Sequence, residues 1–423
     1  MKRIFTPVKK KTILIVDEDP FAIDIYREKL EAQGFKVEVA RDAASAFETL
    51  KKGGVDLVIL DLCLPGINVV ELLKDIRSDS GMQSLPIITL SNPYLSNLTR
   101  AAVDAGATKS VAKVGNAPEK IFELVRELGV GGTSPGVSGV VGALEGDQEK
   151  LAATLLIKWP ETLAKLRASY QAFARTERED SRRAALLQMH RQFRSLAAKA
   201  SILAFQKIVQ LSTALEALLV ELYATPAKIT PSVVRTIAQS IDKLASLIDW
   251  AANSQDQVIT SAKVLVVDDE VISRQVISSA LEKADLHAVT LDDPLAAQRL
   301  LEHEHFDLIF LDVEMPGQSG LELCVKIRGM EPNLTTPIVF VTSHSDFGSR
   351  AQSTLSGGND FIAKPFLLVE LAVKALSWLF KESPQPFPTG AAQNGVPAEV
   401  GAHESQLVAG HGALESRRKS PAT

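Results

Sequence analysis

Short runs of Ile, Val and Leu recur in two regions of the chain, separated by longer stretches whose apolar residues return at every third or fourth position. In the first region the runs fall near 12–16, 35–39, 56–60, 86–90 and 108–112. Segments near 20–33, 43–52, 67–78, 94–105 and 117–128 lie between and after them with helical spacing, as in Ile25 with Leu30 and in Leu72, Leu73 and Ile76. Continuously apolar strands alternating with amphipathic helices predict a parallel sheet covered on both faces. Right-handed crossovers then run the strands in one direction, and ligands are expected outside their carboxyl ends.

The second such region repeats the first. Ile13-Leu14-Ile15-Val16-Asp17-Glu18-Asp19 returns as Val264-Leu265-Val266-Val267-Asp268-Asp269-Glu270, and Leu60-Asp61-Leu62-Cys63-Leu64-Pro65-Gly66 returns as Leu311-Asp312-Val313-Glu314-Met315-Pro316-Gly317. Pro86 to Ser91 matches Pro337 to Thr342, and Ala112-Lys113 matches Ala363-Lys364. All four matches hold one offset of 251 positions. A lone Asp after a strand is more often a cap or a solvated strand end. Four polar positions duplicated in one register imply two copies of one fold with one chemistry.

Asp17 and Glu18 follow the first strand, Asp61 ends the third, Ser91 the fourth and Lys113 the fifth, so their side chains are expected at one sheet edge. Asp268, Asp269, Asp312, Thr342 and Lys364 take those places in the second copy. Crowded carboxylates repel and call for a cation. Oxygen ligands completed by water suit Mg2+. A carboxylate beside such an ion is a nucleophile toward phosphoryl, giving an acyl phosphate, with the lysine pairing another oxygen and the hydroxyl drawing its loop inward.

These residues resemble the response-regulator receiver domain over about 11–128 and 262–381. The resemblance implies two flavodoxin-like α/β domains with five-stranded parallel sheets, Mg2+, and phosphoryl transfer from a sensor histidine kinase or phosphotransfer protein to Asp61 and Asp312. It carries Asp17 with Glu18, and Asp268 with Asp269, over as metal-binding acids, adds the backbone carbonyls of Cys63 and Glu314 as metal contacts, and makes Phe361 the aromatic switch. It also allows two copies of the chain to pair through the last helices and strands of their receivers. The first copy departs from the pattern, with Val114 where the second has Pro365, Ser110 in place of Phe361, and Val69 in place of Gly320. Asp312 is therefore the safer phosphoacceptor.

Between the copies, 129–147 reads as a Gly- and Ser-rich linker and 148–254 as an all-α bundle of four or five helices, with Pro160 and Pro231 as first-turn prolines and Thr230 as an N-cap. The stretch Phe193-Arg194-Ser195-Leu196-Ala197-Ala198-Lys199-Ala200, with Leu203-Ala204-Phe205 and Leu215-Glu216, resembles a histidine-containing phosphotransfer (Hpt) domain. Arg194 stands where that family carries its histidine, and a guanidinium is a poor phosphoryl acceptor. The expectation is a degenerate bundle retained for docking, with Arg194 suited to a receiver's acidic pocket. His190, one turn earlier, reads as a partly exposed helix histidine; as a displaced acceptor it would make the bundle a relay.

Composition narrows the rest. A net charge of −5 and a pI of 5.9 give no reason to expect nucleic-acid binding. No long apolar run suggests a membrane span, and only Cys63 and Cys324 are present, as expected of a cytoplasmic protein. The basic stretch 1–10 and the Pro-, Gly- and Ala-rich stretch 383–423 read as tails. No segment reads as a DNA-binding or enzymatic output domain, so output is expected through protein contacts. An unphosphorylated scaffold is an alternative. An aspartyl-phosphate hydrolase of the haloacid dehalogenase type would need a second Asp where Cys63 and Glu314 stand.

Overall fold

The computed structural model describes residues 10–64, 68–113, 117–130, 145–253, 262–343 and 356–380. The stretch expected to be a tail beyond 383, nearly all of the one at 1–10 and most of the expected linker lie outside the described residues. In the first copy β1 (Thr12–Val16), β2 (Lys36–Ala40), β3 (Leu57–Asp61), β4 (Ile87–Ser91) and β5 (Lys109–Ala112) form a parallel sheet in the order β2-β1-β3-β4-β5. Helices α1 (Pro20–Ala32), α2 (Ala43–Lys51), α3 (Val69–Ser78), α4 (Ser96–Asp104) and α5 (Ala117–Glu127) complete it. Leu14, Val16, Val58 and Leu60 face one apolar layer with Leu72, Leu73 and Ile76 of α3, while Ile13, Ile15, Leu57 and Ile59 face the other with Ile23 and Leu30 of α1. That two-sided burial is why β1 and β3 are apolar throughout except at Thr12 and Asp61.

The second copy has β6 (Val264–Val267), β7 (Ala288–Leu291), β8 (Leu308–Asp312), β9 (Ile338–Thr342) and β10 (Asp360–Ala363), all parallel, in the equivalent order β10-β9-β8-β6-β7. Among the described residues its helices are α10 (Val271–Glu282), α11 (Pro294–Leu301), α12 (Gly320–Ile327) and α13 (Leu368–Leu379). The repeat extends to a contact that no motif announces. Arg77 donates from Nε to the Gly106 carbonyl at 2.9 Å, and Arg328 to the Gly357 carbonyl at 2.8 Å.

Between them α6 (Glu145–Arg175), α7 (Glu179–Ile202), α8 (Gln206–Ala224) and α9 (Pro231–Asn253) form four helices of the expected bundle. Pro231 opens α9, where Thr230 Oγ1 accepts from the Val233 amide at 3.2 Å. Pro160 is not a first-turn proline: it lies inside α6, beside the buried Trp159. A helix of that length, with Trp159, Leu163 and Leu166 buried, tolerates one missing N–H donor because packing and not local propensity holds it.

One apolar core joins the parts. Leu186, Phe193, Leu215, Leu218 and Leu244 of the bundle share it with Cys63, Tyr94 and Leu95 of the first copy and with Val369, Val373 and Leu376 on α13 of the second. The last helix of the second copy, one of the elements through which the resemblance allows two copies to pair, packs against α8 and α9 of its own chain.

Candidate functional site

Parallel strands end together, so each sheet gathers its polar termini at one edge. In the second copy Asp268 follows β6, Asp312 ends β8 one strand away, and Lys364 follows β10. Carboxylate oxygens of Asp268, Asp269 and Asp312 come within 4.8 Å of one another, and no other set of three metal-binding side chains does so among the described residues. Lys364 Nζ bridges Asp268 Oδ2 at 3.0 Å and Asp312 Oδ2 at 3.3 Å. Asp268 also accepts from Ser273 Oγ and from the Glu270 amide, which holds its carboxylate toward the pocket. Burial, reinforced by Asp268, pushes Asp312 up to about 6 despite Lys364. This excess of negative charge fits a hard divalent cation, which Asp268, Asp269, Asp312 and the Glu314 carbonyl would hold. Thr342 ends β9 and is buried, and the Lys364 amide donates to its carbonyl at 2.7 Å.

The loop after Asp312 depends on one glycine. A Cβ on Gly320 would sit 1.9 Å from the Asp312 carbonyl oxygen, so the backbone passes there only without a side chain. Phe361, the expected switch, is buried on β10, and the Arg235 guanidinium of α9 lies 4.0 Å from its ring centre.

The first copy assembles the same residues differently. Asp17 and Asp61 are buried at its sheet edge, and Lys113 Nζ lies 2.5 Å from Asp61 Oδ1. The cation among them is Arg194 of α7, only 4% exposed. Its Nη2 reaches Asp17 Oδ2 at 2.5 Å and contacts Asp61 Oδ2, while Nη1 donates to the Cys63 carbonyl at 3.4 Å. These three oxygens belong to residues expected to hold the metal, so the pocket does not fit Mg2+ while Arg194 is in place. The fourth, Glu18, turns toward α7, to Arg191 Nε at 3.1 Å, and does not join Asp17 and Asp61. Ser91 Oγ donates to the Val111 carbonyl at 3.2 Å.

Charge balance explains the arrangement. Burial works to raise Asp61, but Arg194 and Lys113 outweigh it and hold its carboxyl below the ordinary range. Burial likewise opposes the Arg194 charge, yet Asp17, Asp61 and Glu216 keep it well above its usual value. Asn92 and Glu216 were not anticipated as pocket residues. Asn92 Nδ2 donates to the Thr213 carbonyl at 2.9 Å and to Glu216 Oε2 at 3.3 Å, and Lys113 Nζ lies 3.8 Å from Glu216 Oε1. The only sequence signal was the place of Glu216 in the Hpt-like pattern; nothing marked Asn92.

His190 is not the partly exposed histidine expected. It is 2% exposed, with Nε2 3.6 Å from Glu216 Oε1 and Nδ1 3.8 Å from Glu18 Oε1. Packing of α7 against the first copy puts it at the pocket wall. Burial, helped by Arg194 and Lys113, pushes it down to about 3, so it is neutral near pH 7. A cleft of about 500 Å3 opens beside this wall between the start of α1 and α7, yet Asp61 stays fully buried.

Cys63 and Cys324 are both buried free thiols, and none of the described helices is long and apolar enough to cross a membrane. The response regulator receiver domain family matches residues 13–126 and 264–376, more than half of the chain. The chain is 29% identical over 159 residues to the phosphate regulon transcriptional regulatory protein PhoB of Pseudomonas aeruginosa, covering 34% of this chain and 69% of that one. It is 36% identical over 121 residues to the transcriptional regulatory protein SpaR of Bacillus subtilis, covering 29% and 53%. For SpaR the match thus takes in about half of the relative's length. Among solved structures, the chemotaxis response regulator CheY4 of Vibrio cholerae is 31% identical over 28% of this chain and 99% of its own, with a TM-score of 0.27. The receiver domain of the Pseudomonas aeruginosa sensor histidine kinase PA1611, solved with magnesium in its cleft, is 27% identical over 29% of this chain and all of its own, with a TM-score of 0.28. Two copies of the receiver fold, each with its acidic edge, thus place the chain in the response-regulator receiver family, as a two-component response regulator of phosphorelay signalling.

Proposed function

We propose that Asp312 is the working phosphoacceptor, taking phosphoryl from a phosphohistidine of a sensor kinase or phosphotransfer protein in the cytoplasm. The observation that carries this reading is the cluster of Asp268, Asp269 and Asp312 with Lys364 bridging two of its members. A bound Mg2+ would supply charge neutralisation for the transferring oxygens. A carboxylate oxygen of Asp312 attacks phosphorus as the N–P bond of the donor breaks, and the imidazole leaves with its electron pair. Lys364 stands ready to pair with a phosphoryl oxygen once Asp312 becomes an acyl phosphate. Thr342 and Phe361 are the residues that would register the new group, Thr342 through its hydroxyl and Phe361 through its packing under Arg235.

The helical middle is a degenerate Hpt-like bundle retained for docking. Its support is Arg194, which stands at the expected histidine position and meets Asp61, the residue a phosphohistidine would face in the first receiver. Output passes through protein contacts within the chain or to partners. The test is incubation of the full chain with radiolabelled acetyl phosphate and Mg2+. An acid-stable, base-labile label that disappears in Asp312→Asn is expected; wild type without such a label overturns the reading.

A further inference from the structure

We infer that Arg194 is a resident cation of the first receiver, an internal plug that excludes both Mg2+ and phosphoryl donors from Asp61 for as long as the bundle is docked. The inference builds on the reading of Asp312 given above and assigns the two pockets opposite behaviour. Three observations carry it.

The first is ligand identity. Arg194 touches Asp17, Asp61 and the Cys63 carbonyl, the oxygens whose counterparts in the second receiver are Asp268, Asp312 and the Glu314 carbonyl. A guanidinium offers several donors in a fixed plane, so one side chain meets all three. The second is charge. Arg194 and Lys113 are already set against Asp17, Asp61 and the neighbouring Glu216, so a divalent ion entering beside them would face two cations in place. In the second receiver Lys364 is the cation paired with the carboxylates of the cluster, while Arg274 turns to the Asp268 backbone carbonyl and to Asp292.

The third is closure. Asp61 is fully buried, and the plug is held from behind by apolar contacts and a polar brace. Phe193 and Leu196, flanking Arg194 on α7, are buried in the same core as Cys63, Tyr94 and Leu95. Asn92, on the loop after β4, donates to both the Thr213 carbonyl and Glu216 of α8. In-line attack on a phosphoryl needs open space in front of the carboxylate, and here that space is guanidinium.

Isothermal titration of Mg2+ into the full chain and mapping of acetyl-phosphate label test the plug. Wild type should bind one equivalent of Mg2+ and carry label only on Asp312. Arg194→Ala should bind two equivalents, and Arg194→Ala with Asp312→Asn should take base-labile label on Asp61. One equivalent in Arg194→Ala, or no Asp61 label in a double variant that binds two, overturns the inference. Asp61→Asn keeps the Arg194–Asp17 pair and so guards against misfolding of the alanine variant. It should leave the stoichiometry at one, whereas a fall from two to one shows that metal enters the docked pocket and overturns the plug. If wild-type Asp312 takes no label, the reading of the second receiver fails, while the Mg2+ counts still decide the role of Arg194.

Discussion

His190 and Gly320 show how one residue's surroundings set its effect. Because burial drives His190 down to about 3, while an unfolded histidine titrates near 6.5, the unfolded chain binds an extra proton between those values. This depressed group therefore costs nothing above pH 6.5 and subtracts stability as pH falls, by up to about 1.4 kcal/mol per unit. Urea melts from pH 7 to 5 should show a shallower acid loss in His190→Asn than in wild type; equal slopes would contradict the burial. At Gly320 a methyl group would strike the Asp312 backbone, which has no rotamer to relieve it. Gly320→Ala should lose about 1–3 kcal/mol, read as a lower urea midpoint, and should weaken Mg2+ binding by displacing the acceptor loop. The sequence already separated the copies here, since Val69 stands in the matching place of the first. The Hpt-like resemblance suited Arg194 to a receiver's acidic pocket, but nothing in the sequence said that the pocket would be that of Asp17, 177 positions before it in the same chain. Asn92 was invisible because a side chain bonded to another element's carbonyl has no local pattern.

Among the elements, strands and helices of both receivers follow the apolar periodicity closely, because two-sided burial leaves little freedom in where each strand lies. Helix contacts between the bundle and the receivers were not legible in the same way. Buried polar contacts lie on two sides of α13: Ser232 Oγ of α9 donates to Glu370 Oε1 at 2.6 Å, and within the second receiver Lys374 Nζ pairs with Asp360 Oδ2 of β10 at 2.7 Å with Trp378 beside it. Burial works to lower Lys374 more than Asp360 restores it. Removing one member of such a pair leaves an uncompensated buried charge, typically costing about 3–5 kcal/mol. Asp360→Leu should therefore destabilise the chain by about that much in chemical denaturation, and adding Lys374→Met should recover most of it. A double variant no more stable than the single one would show that the unpaired buried charge is not what costs the stability.

For the whole molecule, the shared core makes the bundle a structural part of both receivers and not a spacer between them. Val369, Val373, Leu376 and Phe380 lie under the bundle, so a fragment of residues 262–381 alone would present them to water. Sedimentation should find that fragment more strongly self-associated than the full chain at equal concentration; a monodisperse, monomeric fragment would count against the packing.

The plug also changes the kind of competition at the first pocket. Arg194 travels on the same polypeptide as the carboxylates it meets, so its local supply is fixed by chain geometry and never diluted, whereas an ion must arrive from the medium. Raising the ion's level then works against a rival at constant effective concentration. What opens the pocket is whatever pries the helices loose, and the first receiver becomes a detector of mechanical release before it is a detector of phosphate.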